Sequence, residues 1–254
     1  MARRYKLIGC DIMFREICLC AAQSKNVIDL EFMDKGLHDV GEKTMSESLQ
    51  NVINNVDVTK YDAILLCYGL CNYGVKGLRA SIPMVIPKAH DCITLLMGSK
   101  EVYDDYFQNN PGTFFRSSGW LERAAFGIDG EENIMSELGI HPEADYSQYG
   151  EENAQYLMEM LGNWTGNYTK QTFIDTGVGD SEVYAEMTEA DAKSRGLKYE
   201  CIKGNIRLIQ ELMDGNWNET DFLLIPPQDV IIPTYDESIM QSLRFETTED
   251  EPIN

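Results

Sequence analysis

Basic residues are scarce in this chain. Across 254 residues, 21 Lys and Arg stand against 42 Asp and Glu, a net charge of −21 at pH 7. Such a surface repels nucleic-acid phosphates and anionic lipid, so neither nucleic acid nor membrane is expected as a partner. An acidic excess suits a cationic small-molecule substrate, but its plainest meaning is a solvated surface. Long apolar runs are missing as well: nothing approaches the ~18 residues of a spanning helix. The Arg3-Arg4 start runs directly into a strand-like stretch, with no small-residue cleavage site behind it. The expected location is therefore cytoplasmic. In that compartment seven cysteines, an odd number with no CxxC pair among them, do not form a disulfide framework. They point instead to thiol, metal or redox chemistry. Histidine is rare, with three in all, and no Ser-His-Asp set is visible.

What remains is ordinary globular material, 43% hydrophobic and 25% charged. Short apolar runs alternate with segments of helical period. Tyr5–Cys10, Val27–Met33, Tyr61–Cys67 and Met84–Pro87 read as strands. Phe14–Gln23 and Met45–Val56 read as helices, the second with Met45, Leu49, Val52, Ile53 and Val56 on one stripe. Residues 129–153 hold eight Asp or Glu and no Lys or Arg, which marks an acidic connector. A second alternation follows: helix 154–161, strand Gln171–Asp175, helix Glu182–Arg195, strand Leu197–Ile202, helix Ile206–Met213 and strand Phe222–Ile225. Lys35-Gly36 and Lys203-Gly204 end comparable strands in the two halves, and Asp62 and Asp221 open comparable ones. The expectation is an α/β protein of two Rossmann-like lobes with mostly parallel sheets. The lobes are assigned to residues 1–128 and 154–245, followed by an acidic tail at 246–254.

In an open parallel sheet, functional groups gather beyond the carboxyl ends of the strands. Cys10 closes the first strand, Cys71 follows the third, and His90 and Cys92 follow the fourth. Three thiolates and an imidazole make a tetrahedral zinc set, and the same residues serve iron–sulfur clusters. These four are the predicted metal ligands, with zinc favoured. The bland alternative is that the cysteines are small core residues and His90 a hydrogen-bonded turn residue. Asp91 is the candidate base or imidazole partner. The turn carrying Gly69, Asn72 and Gly74 has no Walker Lys-Ser/Thr, but its backbone can approach a ligand closely. Pro111–Trp120 reads as an aromatic loop able to cover the site, with Trp120 offering a face to a cation. Gly177 and Asp180, in the turn after Asp175, are the candidate contribution from the second lobe.

Leu7–Asp11, Tyr68–Asn72, Ile86–Leu95, Gly98–Lys100 and Pro111–Phe115, together with Trp217 and Phe222–Pro227, resemble an uncharacterised family of methanogens and other anaerobes. Its genes often lie near those of corrinoid-dependent methylamine methyltransferases. The resemblance implies a setting: a metal-dependent enzyme or accessory protein of corrinoid one-carbon metabolism, with methyl transfer as the reaction and a corrinoid protein as partner. Two other readings stand beside it. One is an iron–sulfur protein for electron transfer or corrinoid reductive activation. The other is a non-catalytic protein that binds a small molecule or cofactor.

Overall fold

The computed structural model describes residues 2–38, 41–123 and 168–244. Strand β1 (Arg4–Cys10) leads through a short 3-10 turn into α1 (Phe14–Gln23), β2 (Val27–Met33), α2 (Glu42–Asn54), β3 (Ala63–Cys67) and β4 (Met84–Pro87). Then come α3 (Cys92–Met97), α4 (Lys100–Asn109), β5 (Thr113–Ser117) and α5 (Ser118–Arg123). The later described elements are β6 (Lys170–Asp175), α6 (Ser181–Ser194), β7 (Lys198–Lys203), α7 (Arg207–Asp214), β8 (Phe222–Ile225), β9 (Val230–Pro233) and β10 (Met240–Leu243).

The first sheet has the order β2-β1-β3-β4-β8, with four parallel strands and β8 antiparallel at the edge. The second, β5-β6-β7, is wholly parallel. The result is a Rossmann-like α/β architecture. All five residues of β3 are buried because both faces of the sheet are covered. Period-two alternation sends Ile64 and Leu66, with Ile8 and Met84, against Met45, Leu49 and Ile53 of α2. Leu7, Leu65 and Val85 point the other way, toward Ile17 of α1, Leu95 of α3 and Leu208, Ile209 and Leu212 of α7. Consecutive crossovers α1 and α2 therefore lie on opposite faces, and the strand order reverses between β1 and β3. That reversal is where ligands bind in open α/β sheets.

The sheets do not divide the chain where its composition changes. β5 comes from the first half but forms an edge of the second sheet, while α7 and β8 come from the second half and complete the first. Boundaries at residues 128 and 154 thus cut across both sheets. The acidic connector 129–153, the helix expected over 154–161 and the tail 246–254 lie outside the described residues. The expected aromatic loop Pro111–Trp120 is instead β5 running into α5. Thr113–Ser117 pair in register with Lys170–Ile174, which supplies the ladder that a loop would lack. Among the described residues, no helix is long and apolar enough to cross a membrane.

Candidate functional site

Three loops leave the carboxyl ends of β1, β3 and β4 side by side, and each brings one cysteine. The loops after β3 and β4 are stitched together: Leu70 N–H donates to the Ala89 carbonyl at 2.8 Å and Cys71 N–H to the His90 carbonyl at 3.1 Å. Gly69 makes this approach feasible, since a Cβ there would lie 2.6 Å from the Asp91 nitrogen. Beyond it, Cys71, Asn72 and Tyr73 hold φ of 38°, 52° and 63°, three successive non-glycine residues in the left-handed region. Each such residue costs about 1–2 kcal/mol. Strain of this kind persists where surroundings over-determine it, and it concentrates at functional sites.

Cys10, Cys71 and Cys92 line one pocket that encloses about 20 Å³ behind an open mouth. Tyr68 and Trp120, the thioethers of Met13 and Met45, the side chains of Ile12 and Leu37, and Asp34 with Lys35 complete the wall. The backbone N–H of Ile12 near Cys10, those of Gly69 and Cys92 near Cys71, and the Trp120 indole near Cys92 each favour the thiolate form, though less than burial opposes it. Trp120 reaches the pocket because α5 presses on the turn after β1, where a Cβ on Gly119 would overlap the Ile12 carbonyl oxygen. The three cysteines are half-buried and face the pocket. Burial first, then neighbouring negative groups, pushes Cys71 up to about 12 and Cys92 well above the usual thiol range. Cys10 is likewise pushed up to about 12, chiefly by burial. All three are neutral thiols at pH 7 and need a cation to become thiolates.

The structure leaves His90 outside this group. Its imidazole is half-exposed, with Nε2 3.9 Å from Asp104 on α4, and it is not part of the pocket wall. Its i+2 spacing from Cys92 does not unite them, because Cys92 is already the first residue of α3 and the helix turns it inward. Asp91 caps that helix: its Oδ1 accepts from Thr94 N–H at 3.1 Å, and its Oδ2 accepts from the Tyr103 hydroxyl at 3.1 Å. Asn72 is exposed, Gly74 is buried, and neither lines the pocket. Gly177 and Asp180 also lie elsewhere, exposed in the β6–α6 turn. That turn touches the first sheet's layer through the Thr176 hydroxyl, which donates to Glu16 at 2.7 Å. Among the described residues, no group of three or more His, Cys, Asp or Glu is arranged to hold a single metal ion.

Two features of the pocket escaped the sequence. Tyr68 is only 3% exposed, lines the pocket, and its hydroxyl has no hydrogen-bond partner. Lys35 sets its ammonium 5.3 Å from the centre of the Trp120 ring, and its backbone N–H donates to Asp11 at 2.9 Å. Position alone carried the signal for both: Tyr68 directly follows β3, and Asp34-Lys35 directly follow β2. A family model described as "Protein of unknown function (DUF1638)" matches residues 32–213. No curated protein and no solved structure matches the chain.

Proposed function

The chain belongs to the DUF1638 family, and from its own residues we propose that it is an iron–sulfur protein whose cluster is held by Cys10, Cys71 and Cys92. One observation carries the reading: three thiols from three strand ends share the wall of one pocket. N–H groups aimed at sulfur stabilise thiolates that carry cluster charge and tune its potential. The cluster would supply one-electron chemistry, or a Lewis-acidic iron. The protein's own part is to bind it, to set its potential through the Ile12, Gly69, Cys92 and Trp120 N–H groups, and to limit water behind the Tyr68 and Trp120 rings. In the setting that the sequence resemblance implies, the task is electron transfer or reductive activation of a corrinoid protein.

Anaerobic purification of the full chain, followed by reconstitution with ferrous iron and sulfide, tests the proposal. Iron and acid-labile sulfide should bind in equal amounts, with visible absorption that bleaches on reduction. Cys10→Ser, Cys71→Ser and Cys92→Ser should each lower iron content, whereas His90→Ala should not. Stoichiometric zinc without iron, lost on His90→Ala, would refute the cluster and support the four-ligand zinc site instead.

A further inference from the structure

The pocket encloses about 20 Å³, little more than one water molecule needs, and Trp120 of α5 forms part of its wall. α5 is weakly tied to the layer it covers. Its two buried residues are Ser118 and Gly119, so it anchors no large apolar side chain in the core. Elements with few buried apolar contacts are the ones that open locally. Most of what holds α5 to the first sheet's layer is charged and partly exposed. Arg15 Nε donates to Glu122 Oε1 at 2.6 Å, while Arg123 lies 3.8 Å from Asp11 and 4.9 Å from the centre of the Phe14 ring. The two arginine side chains are 45% and 37% exposed, so salt screens these contacts and each is individually weak.

The position of α5 also leaves two hydroxyls unpaired. Ser118, at its first residue, is 1% exposed and its hydroxyl has no hydrogen-bond partner. An orphaned buried hydroxyl opposes the arrangement that buries it, and water satisfies it once α5 lifts. The Tyr68 hydroxyl, unpaired in the pocket wall, gains water by the same movement. We propose that α5 is a lid, turning about its junction with β5 to carry Trp120 off the pocket and open Cys10, Cys71 and Cys92 to molecules larger than water. β5 stays in place, because Thr113–Ser117 are paired with β6 in the second sheet. The arrangement described is the closed one, with Gly119 seated on the Ile12 carbonyl where no Cβ fits. The lid governs access to the thiols whatever they hold, so it does not rest on the cluster reading.

Labelling of the metal-free full chain with N-ethylmaleimide, read cysteine by cysteine by peptide mass spectrometry, tests the lid. The reagent is uncharged and far larger than the enclosed space, so it meets Cys92 only when α5 has lifted. Two cysteines serve as internal standards. Exposed Cys201 reports the reagent's reactivity, and Cys67, fully buried in β3, reports unfolding of the sheet. Cys92 should label more slowly than Cys201 and faster than Cys67. Glu122→Gln removes the charge that Arg15 meets and should speed Cys92 labelling by about threefold, with Cys67 unchanged. Ser118→Ala removes the orphaned hydroxyl, favours closure and should slow Cys92 labelling by about tenfold. Labelling of Cys92 in step with Cys67 in all three proteins would overturn the proposal, since access would then require the sheet to unfold. So would Cys92 labelling as fast as Cys201 in the parent, or a Ser118→Ala protein that labels no more slowly than the parent.

Discussion

Gly69→Ala separates the geometry of the site from the chemistry of its ligands. The added methyl would lie 2.6, 2.7 and 2.9 Å from the nitrogen, Cα and carbonyl carbon of Asp91, all backbone atoms that cannot rotate away. Overpacking of this kind costs about 1–3 kcal/mol. Relief requires the β3 and β4 loops to part, which strains the Leu70–Ala89 and Cys71–His90 hydrogen bonds at roughly 1 kcal/mol each. The sum is about 3–5 kcal/mol. For a chain of this length each kcal/mol moves the midpoint by about 2–4 °C, so Tm should fall by roughly 6–20 °C. Cys71 and Cys92 separate in the same movement. Iron uptake at a temperature where the variant is still folded should therefore drop, although no ligand has been changed. The assay pairs a thermal melt of the metal-free chain with iron loading at low temperature. A variant that melts like the parent, or melts lower yet loads fully, would show that the contact between these loops does not set the cysteine geometry.

Iron loading should strengthen as pH rises through the neutral range. Burial pushes Cys10 and Cys71 up to about 12 and Cys92 well above its ordinary value, so all three protons must leave on binding. Proton release measured during anaerobic titration checks this, and loading insensitive to pH between 6 and 9 would contradict it. Glu16 is almost fully buried, and burial raises its pKa above the usual carboxylate range. The folded chain therefore holds a proton that the unfolded chain releases. Its stability should fall as pH rises from the ordinary Glu value to the raised one, and Glu16→Gln should flatten that slope in urea melts taken across pH. Asp34→Cys would place a fourth thiol on the pocket wall. Iron bound after reconstitution should not fall, as read by iron analysis.

Strand existence was legible here because β1, β2, β3 and β4 are short apolar runs and both faces of their sheet are covered. Four of the boundaries expected from pattern alone, those of α1, β2, β4 and β8, coincide with the structure. The aromatic stretch at Phe114 misled because Pro111 and Gly112 announce a loop, while the pairing that makes Thr113–Ser117 a strand comes from β6, over fifty residues away. Swapped membership of the sheets was illegible for the same reason: β5 and β8 choose partners by tertiary contact, and nothing local marks the choice. At the site, counting residues past strand ends brought Cys10, Cys71 and Cys92 to one pocket wall, since the carboxyl ends of adjacent parallel strands must lie together. It misplaced His90, because an i+2 spacing puts two side chains on one side only in extended chain. Cys92 begins a helix under the cap of Asp91, and the helix turns the thiol inward while the imidazole stays out. The same rule applied to β2 would have found Asp34 and Lys35. A sheet that reverses its strand order between β1 and β3 opens its crevice to the ends of β2 as well as to those bearing thiols. The chain thus gathers thiols from three strand ends and a charged pair from the fourth around one pocket.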